Sequence, residues 1–91
     1  MNKSIKVMLA ENNTEFSQKC FRTLSTYGYD VVMVDKDGSQ VLTKIKTDCP
    51  DILIMDAFML HVDALGVLKN MSEMKNVKRP MTVVLSGVDA P

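Results

Sequence analysis

The sequence predicts an α/β fold in which helices cover both faces of a short parallel sheet. Two observations carry this expectation. Short apolar runs alternate with stretches of helical periodicity in the order β-α-β-α-β-α-β. Those runs are apolar on both faces, as in parallel strands buried from either side, rather than apolar and polar by turns. Right-handed crossovers then leave few topologies, chiefly a doubly wound sheet of the flavodoxin-like kind with its strands in the order 2-1-3-4.

Each element has its own signal. Ile5 to Ala10 (IKVMLA) reads as a buried strand. Asn12, Asn13 and Thr14 are helix-capping residues, and Phe16, Cys20, Leu24 and Tyr27 recur at helical spacing until Gly28 supplies a stop. Asp30 to Val34 (DVVMV) is the second strand. Lys36-Asp37-Gly38 reads as a turn, and Val41, Leu42 and Ile45 mark the second helix. Cys49-Pro50 ends it, because a residue before proline is pushed out of the right-handed helical region. Ile52 to Met55 (ILIM) is the most apolar strand and closes on Asp56. Asp63 caps a third helix carrying Leu65, Leu68 and Met71, and Pro80 breaks the basic linker Lys75 to Arg79, which reads as solvated, before a fourth strand, Met81 to Leu85 (MTVVL).

Composition bounds the function. The 91 residues are 46% hydrophobic, 24% charged and 5% aromatic, enough for one domain with one core. Eleven basic and eleven acidic residues give a formal net charge of +0, so charge supplies no reason to expect nucleic acid or a membrane surface as a partner. Cys20 and Cys49 are too few for a disulfide framework and read as reduced thiols in or near the core. No apolar run approaches the roughly 20 residues that span a bilayer, and no signal peptide opens the sequence, so a cytoplasmic location is expected.

In open parallel sheets ligands bind at the carboxyl ends of the strands. After strand one the sequence places Glu11 and Asn12, after strand three Asp56, and after strand four Ser86 and Gly87. A carboxylate can attack phosphorus and hold an acyl phosphate. Phosphoryl transfer needs positioning and charge neutralisation, commonly by Mg²⁺ on oxygen ligands. Asp56 suits the nucleophile, Glu11 the metal, and the Ser86 hydroxyl a phosphoryl oxygen. Each also has an ordinary reading: a capping carboxylate at Asp56, a solvated charge at Glu11, a plain turn at Ser86-Gly87. His61 has no second ligand at metal spacing and reads as a loop residue.

Three segments, IKVMLAENNTEF, DILIMDAFMLHVDALGVL and MTVVLSG, resemble in order and separation the receiver (CheY-like) domains of bacterial two-component response regulators. Asp56 to Leu68, with His61, Asp63 and Gly66, is most similar to the stage zero sporulation protein A type, as is VVMVDKDGSQVL. The resemblance implies that Asp56 is the phosphoacceptor and that Glu11, Asn12, Asp56 and the backbone carbonyl of Phe58 hold Mg²⁺. It makes Ser86 the hydroxyl that follows the phosphoryl group. The implied partners are a histidine kinase or phosphotransfer protein, and the implied role is regulating transcription through an output domain not in this sequence.

Departures from the family pattern qualify that implication. Glu11-Asn12 stands where members typically carry Asp-Asp, which lowers the charge on the metal and implies weak Mg²⁺ binding. Leu60 replaces a usual proline and Ala64 a usual glycine. By the same comparison residues 1–91 are a receiver domain incomplete at its C-terminus, lacking the fourth helix, the fifth strand, the last helix and the lysine that pairs with the phosphorylated aspartate. An open sheet edge at MTVVL implies a homodimer. Three readings stay open: a phosphorylated signalling receiver that is not itself an enzyme, a degenerate receiver serving only protein interaction, and a small-ligand binder. The last is disfavoured because no glycine follows strand one.

Overall fold

The computed structural model describes residues 4–11 and 14–85. Strands β1 (Lys6–Ala10), β2 (Asp30–Val34), β3 (Ile52–Asp56) and β4 (Met81–Leu85) alternate with helices α1 (Thr14–Thr26), α2 (Gly38–Asp48) and α3 (Ala64–Glu73). The four strands form one parallel sheet in the order β2-β1-β3-β4, as expected. Among the described residues no helix is long and apolar enough to cross a membrane.

Side-chain alternation divides the two faces of the sheet. Met8 and Ala10 of β1 and Leu53 and Met55 of β3 join Val41, Ile45, Ala64, Val67 and Met71 in one buried cluster under α2 and α3. Val7 and Leu9, one residue out of step, are buried as well, on the side where α1 packs against β2. Strand β2 is only half-buried and β4 is more exposed still, so the expectation of strands apolar and covered on both faces holds for β1 and β3 but not for the outer pair.

Local chemistry explains the boundaries. Asp37 is the N-cap of α2, its side chain accepting from the Ser39 N–H, so the residues read as a turn begin the helix at Gly38. Asp63 caps α3 by accepting from the Gly66 N–H at 2.9 Å. Gly28 closes α1 at φ 92, a conformation glycine adopts without penalty. Cys49 ends α2 in the left-handed region at φ 48, out of the right-handed helix as Pro50 demands.

Three expectations need correcting. Leu65 is 76% exposed, and the inward face of α3 is carried by Ala64, Val67 and Met71. Cys49, the left-handed C-cap of α2, is exposed rather than near the core. The linker is not merely solvated, since Lys78 pairs with Asp51 and Arg79 donates to the Ser72 carbonyl at 2.9 Å. Asp51 also accepts from the Lys6 N–H at 2.8 Å, and its carbonyl accepts from the Met81 N–H at 2.9 Å, tying β1, β3 and β4 together at their amino ends.

Candidate functional site

Strand register builds the site before any side chain is considered. Ala10 of β1 lies opposite both Val34 of β2 and Met55 of β3, and Asp56 lies opposite Leu85 of β4. All four carboxyl ends therefore meet one edge of the sheet. The chain leaves β1 toward β2 on one side and returns to β3 on the other, so the crevice between β1 and β3 is the topological switch point. Glu11 and Asp56 flank it, and both are buried, at 5% and 3% exposure.

The loop after β3 is held in place by backbone hydrogen bonds. The Gly38 N–H donates to the Leu60 carbonyl and the Leu60 N–H to the Lys36 carbonyl, each at 3.0 Å, adding a short parallel bridge between Asp37 and Leu60. The Ala57 N–H donates to the Leu85 carbonyl at 2.8 Å. This approach requires glycine at position 38, where a Cβ would lie 1.9 Å from the Val62 carbonyl oxygen.

Asp56 sits within this frame. Its Oδ1 accepts from the Phe58 N–H at 2.9 Å, and its Oδ2 lies 3.4 Å from Lys36 Nζ. Burial acts to raise the Asp56 carboxyl, but the Phe58 N–H, the Lys36 ammonium and a hydrogen bond shared with the Glu11 side chain outweigh it and hold Asp56 below the usual carboxylate range. At neutral pH the Asp56 carboxyl is therefore ionised. The Cys20 thiol is pushed up, first by burial and then by the negative charge of Glu11.

The structure thus brings together Glu11, Asp56 and Phe58 of the residues expected from the sequence. Phe58 contributes its amide to Asp56, while its side chain is 73% exposed. Asn12 and Ser86 lie outside the described residues. Lys36 went unrecognised in the sequence. Its signal is its place in the chain, two residues beyond Val34 at the carboxyl end of β2, on the same sheet edge. Beside the carboxylates opens a cleft of about 410 Å³ lined by Asp35, Lys36, Asp37, Phe58 and Leu60.

Two buried carboxyl groups suit a hard divalent cation in part, since Mg²⁺ is commonly held by one or two carboxylates with water completing its shell. Among the described residues no group of three or more His, Cys, Asp and Glu side chains gathers around a single point.

No family model matches the chain. It is 31% identical over 88 residues to a protein-glutamate methylesterase/protein-glutamine glutaminase of Myxococcus xanthus, covering 94% of this chain and 25% of that protein. It is 29% identical over 68 residues to the response regulator MprA of Mycobacterium bovis, covering 75% of this chain and 29% of the regulator. The chain thus spans little more than a quarter of the length of these curated relatives. Among solved structures it superposes with a TM-score of 0.81 on the receiver domain of a Pseudomonas aeruginosa sensor histidine kinase, at 20% identity, covering 97% of this chain and 71% of the other. That receiver has a magnesium ion coordinated in its active-site cleft. In fold this chain is similar to the CheY-like receiver domains of two-component response regulators, and its sequence is similar to a response regulator over 75% of its length.

Proposed function

We propose that this receiver accepts a phosphoryl group on Asp56 and passes a conformational signal to the protein of which it is part. The observation that carries the reading is the setting of Asp56: a buried, ionised carboxylate at the switch-point edge, with one oxygen fixed by the Phe58 amide and the other facing a lysine. In the step proposed, an Asp56 oxygen attacks the phosphorus of a phosphodonor. A P–O bond forms, the bond from phosphorus to the donor breaks, and the donor leaves with that electron pair. Glu11 and Asp56, with Asn12 and the Phe58 carbonyl, would hold Mg²⁺, which supplies charge neutralisation on the phosphoryl oxygens. Ser86 is assigned the hydroxyl that follows the transferred group.

The donors we infer are a histidine kinase or a phosphotransfer protein, as for receivers generally. We read the module as a signalling domain rather than an enzyme. The relative's methylesterase activity belongs to a protein of which this chain covers 25%. Control of transcription through an output domain, of the sporulation type, rests on the likeness of Asp56 to Leu68 to that branch.

A second reading, a degenerate receiver that only binds partners, is favoured by one observation. Lys36 already sits on the Asp56 carboxylate, where a metal and a phosphoryl group would have to compete with it. Incubation with acetyl phosphate and Mg²⁺, followed by mass spectrometry of wild type and Asp56→Asn, separates the two. Acyl phosphate on the wild type alone supports the acceptor role. An unmodified wild type supports the degenerate reading, and modification that survives the substitution removes Asp56 from it.

A further inference from the structure

We propose that Lys36 is a built-in counter-ion that competes with divalent cations for the Asp56 carboxylate. It would thereby set how much metal the site needs before the acceptor is freed. The inference rests on the reading of Asp56 as acceptor and deepens it, because it names a positioning residue on an element that sequence likeness did not connect with the site.

Placement supplies the first part of the argument. Lys36 follows β2, and its own carbonyl is fixed by the Leu60 N–H at 3.0 Å, inside the bridge that ties the β2–α2 turn to the loop after β3. The base of the side chain is therefore stationary relative to Asp56, while the four-carbon stem stays flexible. The ammonium ends 3.4 Å from Asp56 Oδ2, with the carboxylate at 5% side-chain exposure and the lysine at 21%. One partner is enclosed, and the other has a way out along the cleft lined by Lys36, Phe58 and Leu60.

Charge supplies the second part. Glu11 and Asp56 are both buried at the carboxyl edge of the sheet, and a buried carboxylate is costly unless a cation or hydrogen bonds answer it. Oδ1 is answered by an amide and Oδ2 by Lys36. A divalent cation would answer the same carboxylate with twice the charge, but only by displacing the ammonium or sharing the oxygen with it. Removing the lysine should leave the carboxylates without that charge and raise their demand for metal.

The test is a Mg²⁺ titration of the whole chain, followed through the ¹H–¹⁵N resonance of the Phe58 amide, which reports on Asp56 directly. Lys36→Gln is expected to bind Mg²⁺ about tenfold more tightly than wild type, on the rule that site charge tunes affinity for hard cations. Lys36→Arg keeps the charge and is expected to stay within about twofold of wild type, with circular dichroism confirming that both variants fold. In an Asp56→Asn background the gain from Lys36→Gln should vanish. Equal or weaker binding by Lys36→Gln, matching behaviour of the Gln and Arg variants, a gain that survives Asp56→Asn, or binding by none of them overturns the proposal. The acetyl phosphate experiment keeps the two readings apart. Phosphorylation of Asp56 with no effect of Lys36→Gln on metal sinks only the counter-ion role. Tighter metal binding by Lys36→Gln in a chain that is never phosphorylated sinks only the acceptor role.

Discussion

His61 Nδ1 lies 3.0 Å from Asp37 Oδ2, so the loop after β3 is pinned by a side chain to the residue that caps α2. The other oxygen of Asp37 accepts from the Ser39 hydroxyl at 2.7 Å and the Ser39 N–H at 2.9 Å. The Ser39 hydroxyl, opposed by burial and then aided by His61 and backbone N–H groups, holds the Asp37 carboxyl below the usual range. A carboxyl lowered on folding stabilises the fold fully above its unfolded pKa, about 3.9, and loses that contribution as pH falls through its lower folded value. Urea unfolding of wild type and Asp37→Asn from neutral pH downward should therefore show the largest gap near neutrality. The gap should close below about pH 4, as Asp37 takes up its proton. A gap independent of pH would show that the cap does not act through its charge.

Gly38→Ala places a methyl group against backbone, which cannot swing aside as a side chain can. Overpacking of this kind costs about 1–3 kcal/mol. For a domain of this size that corresponds to a Tm drop on the order of 10 °C by calorimetry. The Phe58 amide resonance should shift as well, because the Gly38–Leu60 bond helps set the loop that carries it. An unchanged melting temperature would mean that the loop has more room than its hydrogen bonds imply.

Cys49→Gly should act in the opposite direction. Cys49 is exposed and held at φ 48, where a side chain crowds its own backbone and glycine does not. Relief of the left-handed cap is expected to raise stability by about 0.5–1 kcal/mol in denaturant unfolding, after allowing for the greater freedom of glycine in the unfolded chain. A loss of stability would indicate that the thiol contributes packing.

Self-association is the expected consequence of β4. Met81, Val83 and Val84 are 69%, 41% and 40% exposed on β4, one of the two outer strands described, whose interior has no charge to discourage pairing. Light scattering of the isolated 91-residue chain at micromolar concentration should report a dimer, and Val83→Lys should shift it toward monomer. A monomeric wild type would remove this edge as an interface.

Much of the fold was legible because its signals are local. Asp30 to Val34 and Met81 to Leu85 coincide with the observed strands, and Asp63 and Gly28 cap and stop the helices assigned to them. Asp56 could be placed at the carboxyl edge of the sheet because a strand end is itself a position in space once the sheet is parallel. What was not legible depends on tertiary reach. The periodicity of α3 fits Leu65 or its smaller neighbour Ala64, and only packing against α2 decides that Ala64 turns inward. Lys36 sits in a turn whose composition is that of any turn, and its ion pair across to Asp56 exists only because Leu60 draws the two loops together.

Asp51 shows how the two ends of the sheet divide their duties. Through the Lys6 and Met81 amides and the Lys78 ammonium, it fastens the amino edge, remote from the carboxylates. A sheet anchored there can tolerate experiment at its other rim. Residues 11, 36, 58 and 60 could drift in a lineage, changing which cation or partner is admitted, while the scaffold that presents them stays registered.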